Sequence, residues 1–318
     1  MSGKRLRGLI QVAISALLLA LILHQVHWSE VRDALLRIDL RWLVLAWGLF
    51  IVGVVVRAAR WQVLLNALGV RRPLAELTEW YFAGGFFNVV LPTGFGGDAV
   101  RVAELGQDIS RLDLALNSVL VDRYLGLMVL LAMGVAAALV WPGVAPLSAT
   151  LVTIGLFGAG LLVAWLLSRP WWAQWGERGD TLGSVVRFLR IPRFSAAVKP
   201  YDRRTIGVGL LISFAFNLIQ IGWNVAIAHG LGLQLPLVAF LIFVPLTAVA
   251  LLLPAFGGLG VRELTYIGLF GSVGVPQVLA LAMSLGVYAI TVCTGLMGGV
   301  LYLAGGIRRA RSRDPKLS

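Results

Sequence analysis

Long apolar runs and short polar intervals alternate along almost the whole chain. Gly8–Leu23, Leu40–Val56, Leu114–Trp141, Leu147–Leu167, Ile206–Ala228, Leu235–Leu253 and Val278–Leu303 each carry few or no charges. Their lengths lie close to or above the roughly 18 residues that mark a candidate membrane-spanning helix. The first run follows a basic start, as a signal peptide would. No small-residue cleavage site follows it, since the next residues are His24-Gln25-Val26-His27-Trp28, so it reads as a first span. Ser29–Arg41, of mixed charge, reads as a short helical connector at the outer surface. Two segments fit the pattern less simply. Leu74–Leu91 is apolar but carries Glu76, Glu79 and Asn88, breaks at Pro92 and the glycines after it, and leads into a polar helix, Asp98–Asp113. Later, Leu235–Leu253 breaks in the same way before Glu263–Val273. The pattern predicts an all-α, polytopic membrane helix bundle of about 7–8 transmembrane helices, with two Gly/Pro-broken elements that could be re-entrant.

The two breaks repeat one another. Phe95-Gly96-Gly97-Asp98-Ala99-Val100-Arg101 and Phe256-Gly257-Gly258-Leu259-Gly260-Val261-Arg262 share the form F-G-G-x-x-V-R, and Arg101 and Arg262 stand 161 residues apart in a chain of 318. A duplicated half-chain is the simplest explanation. The expected organisation is a single integral membrane domain, 1–318, with repeat halves 1–167 and 206–307 joined by a basic cytoplasmic segment, 168–205.

Composition supports the membrane reading: 59% of residues are hydrophobic and 13% charged, against about 45–50% and 25% in soluble domains. The net charge of +12 would suit a nucleic-acid partner, but 20 of the 27 basic residues fall in four flanking regions: Lys4–Arg7, Arg57–Arg72, Arg169–Thr205 and Arg308–Lys316. That distribution fits a positive-inside pattern with cytoplasmic N- and C-termini, as in a bacterial-type inner membrane, and basic flanks that meet anionic lipid rather than nucleic acid. Because two spans separate Asp113 from Arg169, Asp113 should share the cytoplasmic side, so the first broken element should enter and leave there. Four crossings in the second half would bring the C-terminus back to the same side. Trp171, Trp172 and Trp175 read as an interfacial anchor, and Leu182–Arg190 either as an in-plane amphipathic helix or as an ordinary loop helix. Cys293 is the only cysteine, which excludes an intrachain disulfide.

Opened backbone at membrane depth must meet protein, water or ligand. A helix restarting after Gly96-Gly97 or Gly257-Gly258 offers N–H groups and a positive dipole end to a phosphate, and Arg101 and Arg262 would add bidentate recognition. The bland alternative is that the glycines serve tight helix packing. Asp122 and Arg123 lie inside the Leu114–Trp141 span, where charge is costly and needs a partner; Asp122 is expected to pair with Arg101 or Arg262, unless the two residues snorkel. Asp98, Glu104 and Glu263 stand near the repeat arginines as charge partners, proton relays or structural ion pairs. His24, His27 and His229 have no metal-ligand spacing, and no catalytic triad, HExxH, Walker or GxSxG pattern occurs. No enzyme activity and no cofactor is expected.

The stretch Asn88–Pro92 with its glycines and Val100-Arg101, the stretch Asp122-Arg123-Tyr124-Leu125-Gly126-Leu127, and Pro254…Gly257-Gly258-Leu259-Gly260-Val261-Arg262-Glu263 resemble the signature elements of the lysylphosphatidylglycerol synthase transmembrane (flippase-like) family, over roughly Leu6–Leu303. The first motif departs from the family pattern at Thr93–Asp98, where relatives carry a shorter turn ending in glutamate. The resemblance implies translocation of a phosphate-bearing lipid between leaflets: a phospholipid, an aminoacyl-phospholipid, a polyprenyl-phosphate sugar or a related amphiphile. It agrees with the reading of the residues themselves, which expects a headgroup site at Arg101, Arg262, Gly96, Gly97, Gly257, Gly258 and Asn88. The basic tail stands where bifunctional relatives have a soluble synthase domain, so synthase activity is not expected. Two alternatives remain: a non-transporting membrane partner of a glycosyltransferase or lipid-synthesis enzyme, and a membrane-embedded transferase using Asp122 or Glu263 as base.

Overall fold

The computed structural model describes residues 28–90, 96–167, 200–253 and 258–313. The expected first span Gly8–Leu23, the tryptophans Trp171, Trp172 and Trp175, the Leu182–Arg190 stretch and the break residues Pro92–Phe95 and Pro254–Gly257 lie outside them. Among the described residues the chain is all helical: α1 (Trp28–Leu36), α2 (Leu40–Ala67), α3 (Leu74–Val90), α4 (Gly96–Asp108), α5 (Leu112–Val140), α6 (Leu147–Leu167), α7 (Arg203–Gly230), α8 (Leu237–Ala250), α9 (Val261–Gly271) and α10 (Gln277–Arg313). Five of these, α2, α5, α6, α7 and α10, are long and apolar enough to cross a membrane.

Helix α2 corrects one boundary. The sequence pattern ends the span at Val56 and places Arg57–Arg72 in a loop, whereas the helix continues to Ala67 because Ala58, Trp61, Leu64 and Leu65 prolong its buried face. It stops where Gly69 takes a φ of 77° and the Val70 N–H turns back to the Leu65 carbonyl at 3.0 Å, a left-handed cap that glycine accepts without strain. Helix α7 ends in the same way: Gly232 has a φ of 76°, and the Leu233 N–H reaches the Ala228 carbonyl at 2.9 Å.

The two 28-residue helices α2 and α7 pack antiparallel. At one end the Asp39 N–H donates to the Gly230 carbonyl at 2.9 Å; at the other, Arg60 Nη1 donates to Ser213 Oγ at 3.0 Å. Each is followed by a short helical hairpin. In the first, α3 and α4 run antiparallel: Arg72 bonds Asp108 at the base, and Gly84 faces Gly97 near the tip. In the second, Phe240 of α8 lies 5.4 Å from Phe270 of α9, ring to ring, while Leu251 covers Gly258 near the tip. The sequence pattern reads Leu235–Leu253 and Glu263–Val273 as two crossings. The structure turns them back on each other, because α8 and α9, at 14 and 11 residues, reach only about 21 and 16 Å at 1.5 Å per residue.

Shifted by the repeat offset, α2–α5 correspond in order to α7–α10. The register steps at the turns: Gly69 and Gly232 are 163 apart, Arg101 and Arg262 are 161 apart. The packing obeys the same exchange. Helix α3 of the first half packs on α10 of the second, and α8 of the second packs on α5 of the first. Since the equivalent helices α2 and α7 are antiparallel, the halves form an inverted repeat. The hairpins therefore start at opposite ends of the bundle, and Asn88 of the first lines one cavity with Leu251 and Gly258 of the second. Helix α6 has no counterpart among the described residues and lies against α5 and α8. Glycines set the closest packing: a Cβ on Gly298 of α10 would stand 2.0 Å from the Phe82 carbonyl oxygen of α3, an approach open only to glycine.

Candidate functional site

Between the described parts of the two hairpins lie two adjoining chambers, of about 430 Å³ and about 290 Å³. Of the seven residues they share, six are matched by the repeat: Arg57 with Gln220, Gly85 with Ala248 and Asn88 with Leu251, each pair 163 apart; Tyr81 is the seventh, and its counterpart Val244 lines the smaller chamber alone. The unshared lining corresponds too. Arg123, Leu127 and Leu130 of α5 face the larger chamber; Val287, Thr291 and Thr294 of α10, 164 residues later, face the smaller. The chambers are thus images of one another under the inverted repeat, stacked along the bundle with Arg57 and Gln220 at their junction.

Their chemistry is not symmetric. Around the larger chamber Asp122, 1% exposed, is held by three donors from three helices: Arg60 Nε at 2.7 Å, Tyr81 Oη at 2.6 Å and Arg101 Nη2 at 3.0 Å. Arg60 also donates to Ser213, and Arg101 lies over the rings of Tyr81 and Trp61, at 4.0 and 4.2 Å from their centroids. Asp98 bonds Arg101 at 3.4 Å and also bonds Arg123. Buried pairs of this kind hold only when the remaining lone pairs and protons are satisfied, and here both oxygens of Asp122 accept, Oδ1 from Arg60 and Oδ2 from Tyr81 and Arg101. In the second half, Gln220 replaces Arg57, Trp223 replaces Arg60 and Val287 replaces Arg123. Only the Arg101/Arg262 pair keeps charge on both sides. Arg262 Nη2 donates to Glu263 Oε1 at 3.2 Å, Ser284 Oγ donates to the same oxygen at 3.2 Å, and the guanidinium lies 4.7 Å from the Tyr288 centroid.

The structure thus pairs Asp122 with Arg101 and not with Arg262, which is engaged by Glu263. Glu104 points elsewhere, accepting from Tyr302 Oη of α10 at 2.8 Å. The glycines play the packing part. A Cβ on Gly97 would stand 2.6 Å from the Gly84 carbonyl oxygen, Gly96 is buried, and Gly258 has a φ of 78° beneath Leu251; Gly257 lies outside the described residues. One N–H group at each break is also already engaged. Asn88 Oδ1 accepts the Gly97 N–H at 2.7 Å, and Glu263 Oε2 accepts the Gly260 N–H at 2.6 Å. Each satisfies an orphan donor of a helix start, so the cationic face of the cavity is made by guanidiniums rather than by these two donors. The site residues the sequence pattern did not single out are Arg57, Arg60, Tyr81 and Ser213. The signal for the first two was the apolar face running on past them to Leu65.

Among the described residues, five arginines, 57, 60, 101, 123 and 262, line the cavity against two lining carboxylates, Asp98 and Asp122, and Glu263 behind Arg262, a formal surplus of two positive charges. The family model described as Lysylphosphatidylglycerol synthase TM region matches residues 8–299. No curated protein matches the chain.

Proposed function

The chain belongs to the Lysylphosphatidylglycerol synthase TM region family, and from that premise we propose that it moves a phosphate-bearing lipid between leaflets, the headgroup passing through the two chambers while the tail stays in the bilayer. The observation that carries this reading is the pair of repeat-related chambers with its surplus of positive charge, set where two opposed hairpins meet. A channel for an anion needs sites strong enough to admit it and weak enough to release it. Arg101 and Arg262 serve this by exchanging a carboxylate partner for the phosphate. Asp98, Asp122 and Glu263 hold them in place between visits, with Arg123 completing the charge framework through Asp98, whereas Glu104 is turned to Tyr302. Asn88 and the glycines 96, 97 and 258 pack the described ends of the hairpins closely, beside the guanidiniums that reach the ligand; the expected headgroup residue Gly257 lies outside the described residues.

The test is translocation in liposomes reconstituted with the full chain, using tail-labelled fluorescent lipids with phosphatidylglycerol, lysyl-phosphatidylglycerol and polyprenyl-phosphate headgroups. Arg101→Lys and Arg262→Lys keep the charge and remove the bidentate fork; each should slow transfer by at least about tenfold, the equivalent of one lost charge-assisted hydrogen bond of about 1.5–3 kcal/mol. Parental rates in both variants, or no transfer by the parent of any lipid, would end this reading.

A further inference from the structure

We infer that a phosphate group is held at the junction of the two chambers, between Arg57 and Gln220, as the midpoint of its passage; the inference rests on the headgroup reading above and adds a site to it. Arg57 differs from every other arginine at the cavity. Arg60 and Arg101 share Asp122, Arg123 bonds Asp98, and Arg262 bonds Glu263. Among the described residues no carboxylate lies within ion-pair distance of Arg57, and its Nε is buried without a hydrogen-bond partner. Its guanidinium instead lies against two aromatic rings, 5.2 Å from the centroid of Tyr81 and 5.2 Å from that of Phe216. Ring contacts of this kind attract the cation and fix the plane of the group while leaving its N–H edge unspent.

An uncompensated charge at membrane depth is costly and marks a pathway or a ligand. Here it faces volume on both sides, since Arg57 and Gln220 line both chambers. They are the repeat counterparts of one another, so they meet where the halves exchange. Arg101 adds a second buried Nε without a partner, over the same Tyr81 ring. A phosphate with one or two negative charges matches the surplus of two. Gln220 is the neutral half of the pair: its amide donates to a phosphate oxygen, but it adds no second charge to trap the ion, which suits a position that must be left as readily as it is reached.

The experiment measures binding by the purified full chain in detergent, by calorimetry and by thermal unfolding, with two probes: inorganic phosphate and short-chain dihexanoyl-phosphatidylglycerol. The variants are Arg57→Gln, Arg57→Lys and Gln220→Glu, the last placing a carboxylate opposite Arg57. The expected result is at least a tenfold loss of affinity in Arg57→Gln and Gln220→Glu, a smaller loss in Arg57→Lys, and unliganded stability of Arg57→Gln equal to or above the parent, because no ion pair is broken. Parental affinity in Arg57→Gln, lower unliganded stability with unchanged affinity, or a parent that binds neither probe would each overturn the site. Arg57-dependent binding of inorganic phosphate without the lipid would keep the site and sink the headgroup reading. Arg57-dependent binding of the lipid supports both. A failure of transfer in liposomes, by contrast, bears on the headgroup reading alone.

Discussion

Replacing Asp122 by asparagine tests whether the larger chamber is organised around one carboxylate. The substitution keeps size and shape but removes the charge that faces Arg60 and Arg101, 2.7 and 3.0 Å away, and turns an amide donor toward at least one of three existing donors. Asp122 is 1% exposed and the two arginines 3% each, so screening by water is small and the buried limit applies: breaking one partner of such a pair costs about 3–5 kcal/mol. The assay is reversible unfolding of the purified protein in mixed micelles by added SDS, followed by tryptophan fluorescence. Asp122→Asn should lose that amount, Arg57→Gln should lose nothing, and Asp122→Asn combined with Arg60→Gln should lose less than the sum of the two, with a coupling of about 0.5–3 kcal/mol. A loss for Asp122→Asn under about 1 kcal/mol, the range of exposed pairs, or strict additivity of the double variant, would refute the reasoning. The cluster would then be wet and loosely held.

Two further outcomes follow from packing and capping. Gly298→Ala sets a methyl 2.0 Å from the Phe82 carbonyl oxygen, and overpacking of this kind costs about 1–3 kcal/mol; the same unfolding assay should show that loss, whereas Gly155→Ala on α6, with nothing within 4 Å, should be neutral or stabilising. Asp202, the exposed N-cap of α7, is held below the usual carboxylate range by hydrogen bonding with Thr205, whose N–H donates to it at 2.8 Å. A lowered folded-state pKa gives stability that is present above the unfolded value of about 3.9 and is lost as pH falls through the folded one. The protection of the Thr205 amide, its exchange rate compared with the intrinsic rate at the same pH, should therefore fall on acidification below that value in the parent and show no such step in Asp202→Asn.

The architecture was legible where the sequence carried a pattern dense enough to leave one solution. The all-helical bundle follows from the apolar runs, and the duplication from F-G-G-x-x-V-R. Arg101 and Asp122 announced themselves as charges in apolar surroundings. Arg57 and Arg60 did not, because basic residues at the end of an apolar run are what a membrane flank looks like. Only the length of α2, 28 residues or about 42 Å at 1.5 Å per residue, brings them inside. The second hairpin was hidden for a related reason. A short apolar helix followed by another has the same hydropathy whether it crosses or turns back, and the decision rests on the Phe240–Phe270 contact, made by residues 30 apart. The capping of Gly97 by Asn88 and of Gly260 by Glu263 likewise depends on where a side chain reaches. Composition around the glycines could not distinguish an N–H that waits for a ligand from one already satisfied.

Helix α6, the described helix that stands between the two matched units, bears on the geometry of everything else. Each half begins with one long helix, turns back through its hairpin and ends with a second long helix, so each contains an even number of crossings. Two such units joined end to end would lie in the same sense: α7 would run parallel to α2, both hairpins would open at one end, and Arg101 and Arg262 would sit side by side instead of facing each other. One added crossing changes the parity. A helix of 21 residues that lends almost nothing to the core therefore converts a tandem copy into an opposed pair. Its deletion would be an error of orientation before it was a loss of packing.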